Sequence, residues 1–132
     1  MKVWTSKDKY TFSENFNRYE QNNEYCMTWA IYLNIIDEEF ENKTNWTLND
    51  IPTIFDYTRI KRNINTLVES LNLEYEKLSL LNTYNVSFNY INANDLEIRC
   101  KGIYDIIGVL QFRDNVTGLA ICGNTLKLGG VN

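Results

Sequence analysis

Apolar side chains return every three or four residues in three separate stretches of the chain. In the first stretch Phe16, Tyr19, Cys26, Ala30 and Leu33 share one helical face with a single polar residue, Asn23, while Arg18, Glu20, Gln21 and Glu24 fall elsewhere. Ser13 offers a side-chain cap, so this pattern predicts a helix from near Ser13 to about Ile36. In the second, Tyr57, Ile60, Ile64, Leu67 and Leu71 keep the same spacing. Pro52 and the Thr53-x-x-Asp56 capping arrangement mark its start, and the pattern ends near Leu73. Tyr75, Leu78 and Leu81 suit a further short turn. In the third, Leu96, Cys100, Ile103, Ile107 and Leu110 predict a helix from about Ala93 to Leu110. Gly102 and Gly108 each lower its intrinsic stability by roughly 1 kcal/mol relative to alanine, so packing must hold it.

Outside these stretches the pattern changes. Val86 to Tyr90 alternates in the manner of a short strand. Four of the six glycines lie between Gly118 and Gly130, and Leu119-Ala-Ile-Cys122 is separated from Thr125-Leu-Lys-Leu128 by Gly123-Asn124, a pair suited to a two-residue hairpin turn. An isolated hairpin is marginal in water, so this one is expected to pack on the helices or on another chain, with Leu119, Ile121, Leu126 and Leu128 as the assembly contact. The expected fold is therefore mainly α with a small β part: three helix-centred units and a C-terminal β-hairpin.

Two of the units repeat in sequence. Trp4-Thr5 leads into Phe16-Asn-Arg-Tyr-Glu-Gln-Asn22, and Trp46-Thr47 leads into Tyr57-Thr-Arg-Ile-Lys-Arg-Asn63, the helical parts being 41 residues apart. A fixed period of this length marks stacked supersecondary units. One domain, 1–132, is expected to contain unit 1 (4–36), unit 2 (46–73), a degenerate unit 3 (84–110) and the tail (111–132). Unit 3 is aligned by setting Leu96 against Tyr57, which puts Tyr84 near the tryptophan slot.

A chain of 132 residues can bury a core without disulfide or metal. Nineteen asparagines scatter through every region and read as a compositional bias. The net charge of −4 and the dispersed basic residues offer no cationic face, so no nucleic-acid partner is expected, and no apolar run is long enough for a membrane span. Cys26, Cys100 and Cys122 each sit among apolar neighbours, as buried free thiols of a reducing compartment do. The Asn-x-Ser/Thr triplets at Asn42, Asn45, Asn85 and Asn115 follow from the abundance of asparagine.

Catalysis finds little to work with. The chain has no histidine, no Cys-x-x-Cys and no glycine-rich phosphate loop, and the acidic run Asp37, Glu38, Glu39 and Glu41 diverges around a helix end as a solvated surface does. No catalytic, cofactor-binding or metal-binding residue is nominated, and no enzyme activity is expected. Trp4 and Trp46 could stack on sugars if exposed, but their matching places in the repeat favour packing of a loop against each helix. Arg18 and Arg59 also match; the residues alone leave solvation and a planar contact to a carboxylate or carbonyl across a junction equally open. Asn22 and Asn63 are placed to bond the entering loop. With Tyr19 and Ile60, these residues make up the motif.

The same residues resemble a recurring segment of tail and baseplate-associated proteins from phages and prophages of Gram-positive bacteria: Trp-Thr, a short polar loop, then Tyr-Asn-Arg-Ile-Glu-x-Asn opening a helix. The first copy here has Tyr19 for isoleucine. The second has Thr58 for asparagine and Lys61 for glutamate. In the third, Ile98 and Gly102 fall where arginine and asparagine belong. The resemblance covers residues 4–71 and implies a virion structural protein, a connector or attachment subunit partnered by other tail, baseplate or fibre subunits in a homo- or hetero-oligomer, and folded in the host cytoplasm. The alternatives are a carbohydrate- or receptor-binding module of the same particle and, further off, a small cell-wall hydrolase.

Overall fold

The computed structural model describes the backbone of residues 1–79 and 88–123, with side chains through Asp114. It contains three helices: α1 (Phe12–Tyr32), α2 (Ile54–Ser70) and α3 (Tyr90–Gly123). They run in one direction. Arg18 and Tyr19 of α1 reach Glu97 of α3, Asn22 reaches the Cys100 carbonyl, and Tyr25 meets Gln111, so contacts advance together along both helices. Parallel helices require long returns, and extended straps supply them. Strap 2 (33–53) passes from Met27 through Glu20 to Asn17 as it descends from Phe40 to Trp46. Strap 3, described from 71 to 79 and at 88–89, bonds Arg99, Asn65 and Lys61. Strap 1 (1–11) lies against α3.

The ends of the helices have local causes. α1 and α2 both stop at an asparagine in the left-handed region, Asn34 (φ 60°) and Asn72 (φ 55°). In each case the asparagine N–H and the next N–H bond back into the last turn, Asn34 to Ile31 and Ile35 to Ala30, Asn72 to Glu69 and Leu73 to Val68, which satisfies the terminal carbonyls. The expected cap at Thr53 is present: its hydroxyl accepts from the Asp56 N–H (3.3 Å), and the Asp56 carboxylate accepts from the Thr53 N–H (2.8 Å). Such a cap contributes about 1 kcal/mol. α3 starts at Tyr90, earlier than Ala93, because Asn89 and Asn92 form a reciprocal cap of the same kind; Asn89 Oδ1 accepts from Ile91 and Asn92, and Asn92 Oδ1 accepts from Asn89. α1 begins after Thr11, and Ser13 is already inside its first turn.

The C-terminal β-hairpin is not found. Leu119 and Ile121 belong to α3, which continues through Gly123, and there is no strand among the described residues. The run Leu-Ala-Ile-Cys is short and apolar throughout, so it carries no alternation to separate strand from helix, and leucine and alanine are strong helix formers extending a helix already nucleated upstream. Phe88 and Asn89 form no strand either. Leu126, Leu128 and Tyr84 lie outside the described residues.

The core gathers the predicted faces: Phe16, Tyr19, Cys26 and Ala30 with Ile60, Ile64 and Leu67, and with Leu96, Cys100, Ile103 and Ile107. Gly102 is explained by a close approach, since a Cβ there would run into the hydroxyl of Tyr75 on strap 3. At about 1.5 Å per residue the 34 residues of α3 span roughly 50 Å, some 20 Å more than the 21 residues of α1.

Candidate functional site: strap-and-receiver clasps

The repeated motif builds two nearly identical clasps. In one, α1 presents Asn17 and Glu20 to strap 2. The Trp46 N–H donates to Asn17 Oδ1 (2.7 Å), Asn17 Nδ2 donates to the Trp46 carbonyl (2.9 Å), and the indole N–H donates to Glu20 Oε2 (2.6 Å). Arg59 of α2 closes the site with its fork on Glu20, at 2.8 Å from both Nε and Nη2. The Lys43 N–H adds a bond to Glu20 Oε1 (3.0 Å). In the other, α3 presents Asn94 and Glu97 to strap 1. The Trp4 N–H and carbonyl pair with Asn94 (2.6 and 2.8 Å), and the indole donates to Glu97 (2.9 Å). Arg18 of α1 forks onto the same carboxylate, and the Tyr19 hydroxyl donates to it as well (2.9 Å). Each strap then turns through Thr-x-x-Asp: the Thr5 and Thr47 amides donate to Asp8 and Asp50, both at 2.8 Å.

These receivers fix the register of the third unit. Asn17 and Glu20 answer to Asn94 and Glu97, so Leu96 corresponds to Tyr19 and, through the 41-residue repeat, to Ile60, not to Tyr57. All three are fully buried. The arginine position of α3 is then Asp95, and the Asn22/Asn63 position is Arg99.

The third junction varies the scheme. Where α1 and α3 carry Asn and Glu, α2 carries Thr58 and Lys61. Strap 3 is gripped two turns further on, where Asn65 pairs with both the N–H and the carbonyl of Leu78 at 2.9 Å. Lys61 donates to the Ser79 carbonyl (2.7 Å), and Arg99 donates to the Glu76 carbonyl (2.7 Å).

The titratable groups around the clasps are shifted by burial and by their partners. Burial pushes the Glu97 carboxyl up, but the bonds from Arg18, Trp4 and Tyr19 outweigh it and hold the group below the ordinary carboxylate range. Burial also raises the Tyr19 hydroxyl, with the neighbouring Tyr10 hydroxyl and Glu97 adding to the shift. The Cys26 and Cys100 thiols are pushed up to about 12, chiefly by burial, and stay neutral at pH 7. Among the described residues, no group of three or more His, Cys, Asp or Glu residues could hold a metal ion, and no helix is long and apolar enough to cross a membrane.

The structure brings Trp4, Arg18 and Tyr19 into one clasp and Trp46 and Arg59 into the other. Ile60 is core. Asn63 bonds the Glu41 carbonyl of strap 2 (2.7 Å), whereas Asn22 bonds the Cys100 carbonyl of α3 (3.3 Å) instead of a loop. The receivers Asn17, Glu20, Asn94 and Glu97 and the turn residues Asp8 and Asp50 are not among the residues nominated from sequence. Asn-x-x-Glu and Trp-Thr-x-x-Asp each occur twice, and that recurrence was the available signal. The chain matches no known protein family, no curated protein and no solved structure.

Proposed function

We propose that this chain is a non-enzymatic structural subunit, a connector or attachment module of a phage tail, baseplate or tail-like particle. The observation that carries the reading is the fate of the motif: its arginines, tryptophans and receiver carboxylates satisfy one another between helix and strap, as in a scaffold. The resemblance over residues 4–71 supplies the particle. With Leu119 and Ile121 on a helix, the assembly contact moves from a hairpin to α3, whose exposed side includes Ile98, Val109 and Phe112, the last 69 % exposed. Partners would be other tail, baseplate or fibre subunits, met after folding in the host cytoplasm. Particles purified after complementation with the wild-type gene should contain the chain, and Phe112→Asp should reduce its incorporation several-fold with helix content unchanged. Wild-type chain found only in the free soluble fraction would refute the reading.

One observation favours the carbohydrate-binding alternative. A cleft of about 400 Å³ is lined by Trp4, Tyr10, Phe12, Phe88 and Tyr90 with Asp8 and Asn89 at its margin, an aromatic surface with polar groups such as sugars require. Trp46 and most of Trp4 are buried and cannot serve as the stacking platforms themselves. Because Trp4 lines the cleft, host cell-wall polysaccharide bound there should quench its fluorescence. An unchanged spectrum across the titration would remove this reading.

A further inference from the structure

Strap 1 docks differently from the other two in one respect. Straps 2 and 3 run back along the helix they directly follow, so a continuous chain delivers each to its site. Strap 1 instead reaches a receiver 90 residues away in sequence, on the last helix. In a row of such units each strap would dock on the helix of the preceding unit. Trp46 does so on α1, and Trp4 does so on α3 only because the first unit closes against the third.

We propose that the α3 receiver, Asn94 and Glu97 with Arg18, also accepts strap 1 of a second copy of this chain, the two copies exchanging straps reciprocally to form a dimer. The occupant is defined by the site. Asn94 reads the backbone of one residue through both its N–H and its carbonyl, and Glu97 takes an indole N–H, so the site selects a tryptophan in an extended segment, and Trp4 of another copy presents the same groups. The strap itself is lightly held. Of residues 1–9 only Trp4 is buried, and the intervening Thr5-x-x-Asp8 turn closes on itself through exposed bonds, so it can travel with the strap as a unit. Lys9, exposed between that turn and α1, is where the chain would redirect. Exchange of an identical element conserves every clasp contact. What opposes it is the lost freedom of association, and the balance therefore moves with concentration. The inference does not depend on the particle reading, because it concerns contacts already present within the chain.

Two full-length variants test it. Trp4→Ala removes the strap's indole and keeps its receiver; Asn94→Leu removes the receiver's paired bonds and keeps its strap. Neither alone can make a complete clasp, but mixed they can make one across the pair. Native mass spectrometry of the mixture should show a 1:1 heterodimer at least about tenfold more abundant than either homodimer, since only the heterodimer regains an intact clasp. A mixture that stays monomeric while both variants keep wild-type helix content would overturn the proposal. Should either variant fail to fold, wild-type chains carrying two different tags and refolded together at high concentration provide the second measurement. Co-purification of the two tags that increases with concentration supports exchange; tags that separate at every concentration overturn it.

Discussion

Replacing Glu20 with alanine is expected to lower the unfolding free energy by about 3 kcal/mol, because it takes from the half-buried Arg59 its main partner and leaves the buried Trp46 indole N–H with none. Glu20 is fully buried and receives four hydrogen bonds: two from Arg59, one from the Trp46 indole and one from the Lys43 amide. Truncation strands all of them at once. The Arg59 guanidinium keeps Asp56 at 3.0 Å, but its side chain is only 21 % exposed and cannot turn into water without leaving the junction. The matching change Glu97→Ala should cost less, since the Arg18 side chain is 44 % exposed and can be solvated where it stands. Urea denaturation followed by circular dichroism gives both numbers. A loss below about 1 kcal/mol for Glu20→Ala would show that its carboxylate does not anchor strap 2, and a larger loss for Glu97→Ala would show that the exposure of the arginine does not set the cost. A double change, Glu20→Met with Arg59→Leu, should recover much of the deficit by removing the stranded charge together with its partner, leaving the Trp46 indole as the residual penalty.

The parts of the fold that were legible in the sequence are those written locally. A period of three and four over five apolar positions placed all three helices, and the Thr53-x-x-Asp56 pattern placed one boundary. Each failure has its own physical origin. The start of α3 was missed because Asn89 and Asn92 perform a reciprocal cap without the usual Ser/Thr and Glu. The glycines of the tail resemble punctuation and suggest a hairpin, although Gly118 lies inside α3 at a cost of only about 1 kcal/mol and does not end it. The clasps were half legible. The strap residues Trp4 and Trp46 and the arginines recur in step and declare themselves, but each receiver sits on the helix of a different unit. Asn17 pairs with residue 46 and Asn94 with residue 4, and no local window contains either pair. The abundance of asparagine then concealed three working side chains, Asn17, Asn65 and Asn94, each gripping a strap through both backbone groups of one residue.

Asn23 marks a position where the sequence departs from what burial asks for, and Asn23→Leu is expected to raise the unfolding free energy by about 1–3 kcal/mol. Its side chain is fully buried on the apolar face of α1, and neither its amide nitrogen nor its oxygen has a hydrogen-bond partner among the described residues. By the repeat register the corresponding residues are Ile64 and Cys100, both apolar and both in the core. Leucine keeps the branched shape and the number of side-chain heavy atoms, removes two unsatisfied polar atoms from the interior and has the better helix propensity, so transfer and backbone terms act in one direction and only the greater bulk of its two methyl groups opposes them. For a chain of this length the thermal midpoint should rise by roughly 4–11 °C. A buried polar group can instead be kept because it excludes other arrangements of near-equivalent helices, and three parallel helices with similar faces are open to such exchange. The two roles separate experimentally. If Asn23 only weakens the core, the leucine variant will be more stable and give an equally dispersed amide NMR spectrum. If it enforces the helix register, the variant will be more stable yet show broadened or doubled resonances. A variant less stable than wild type would contradict both, and would mean that the amide finds a partner at the bundle centre or that the centre has no room for the two methyl groups.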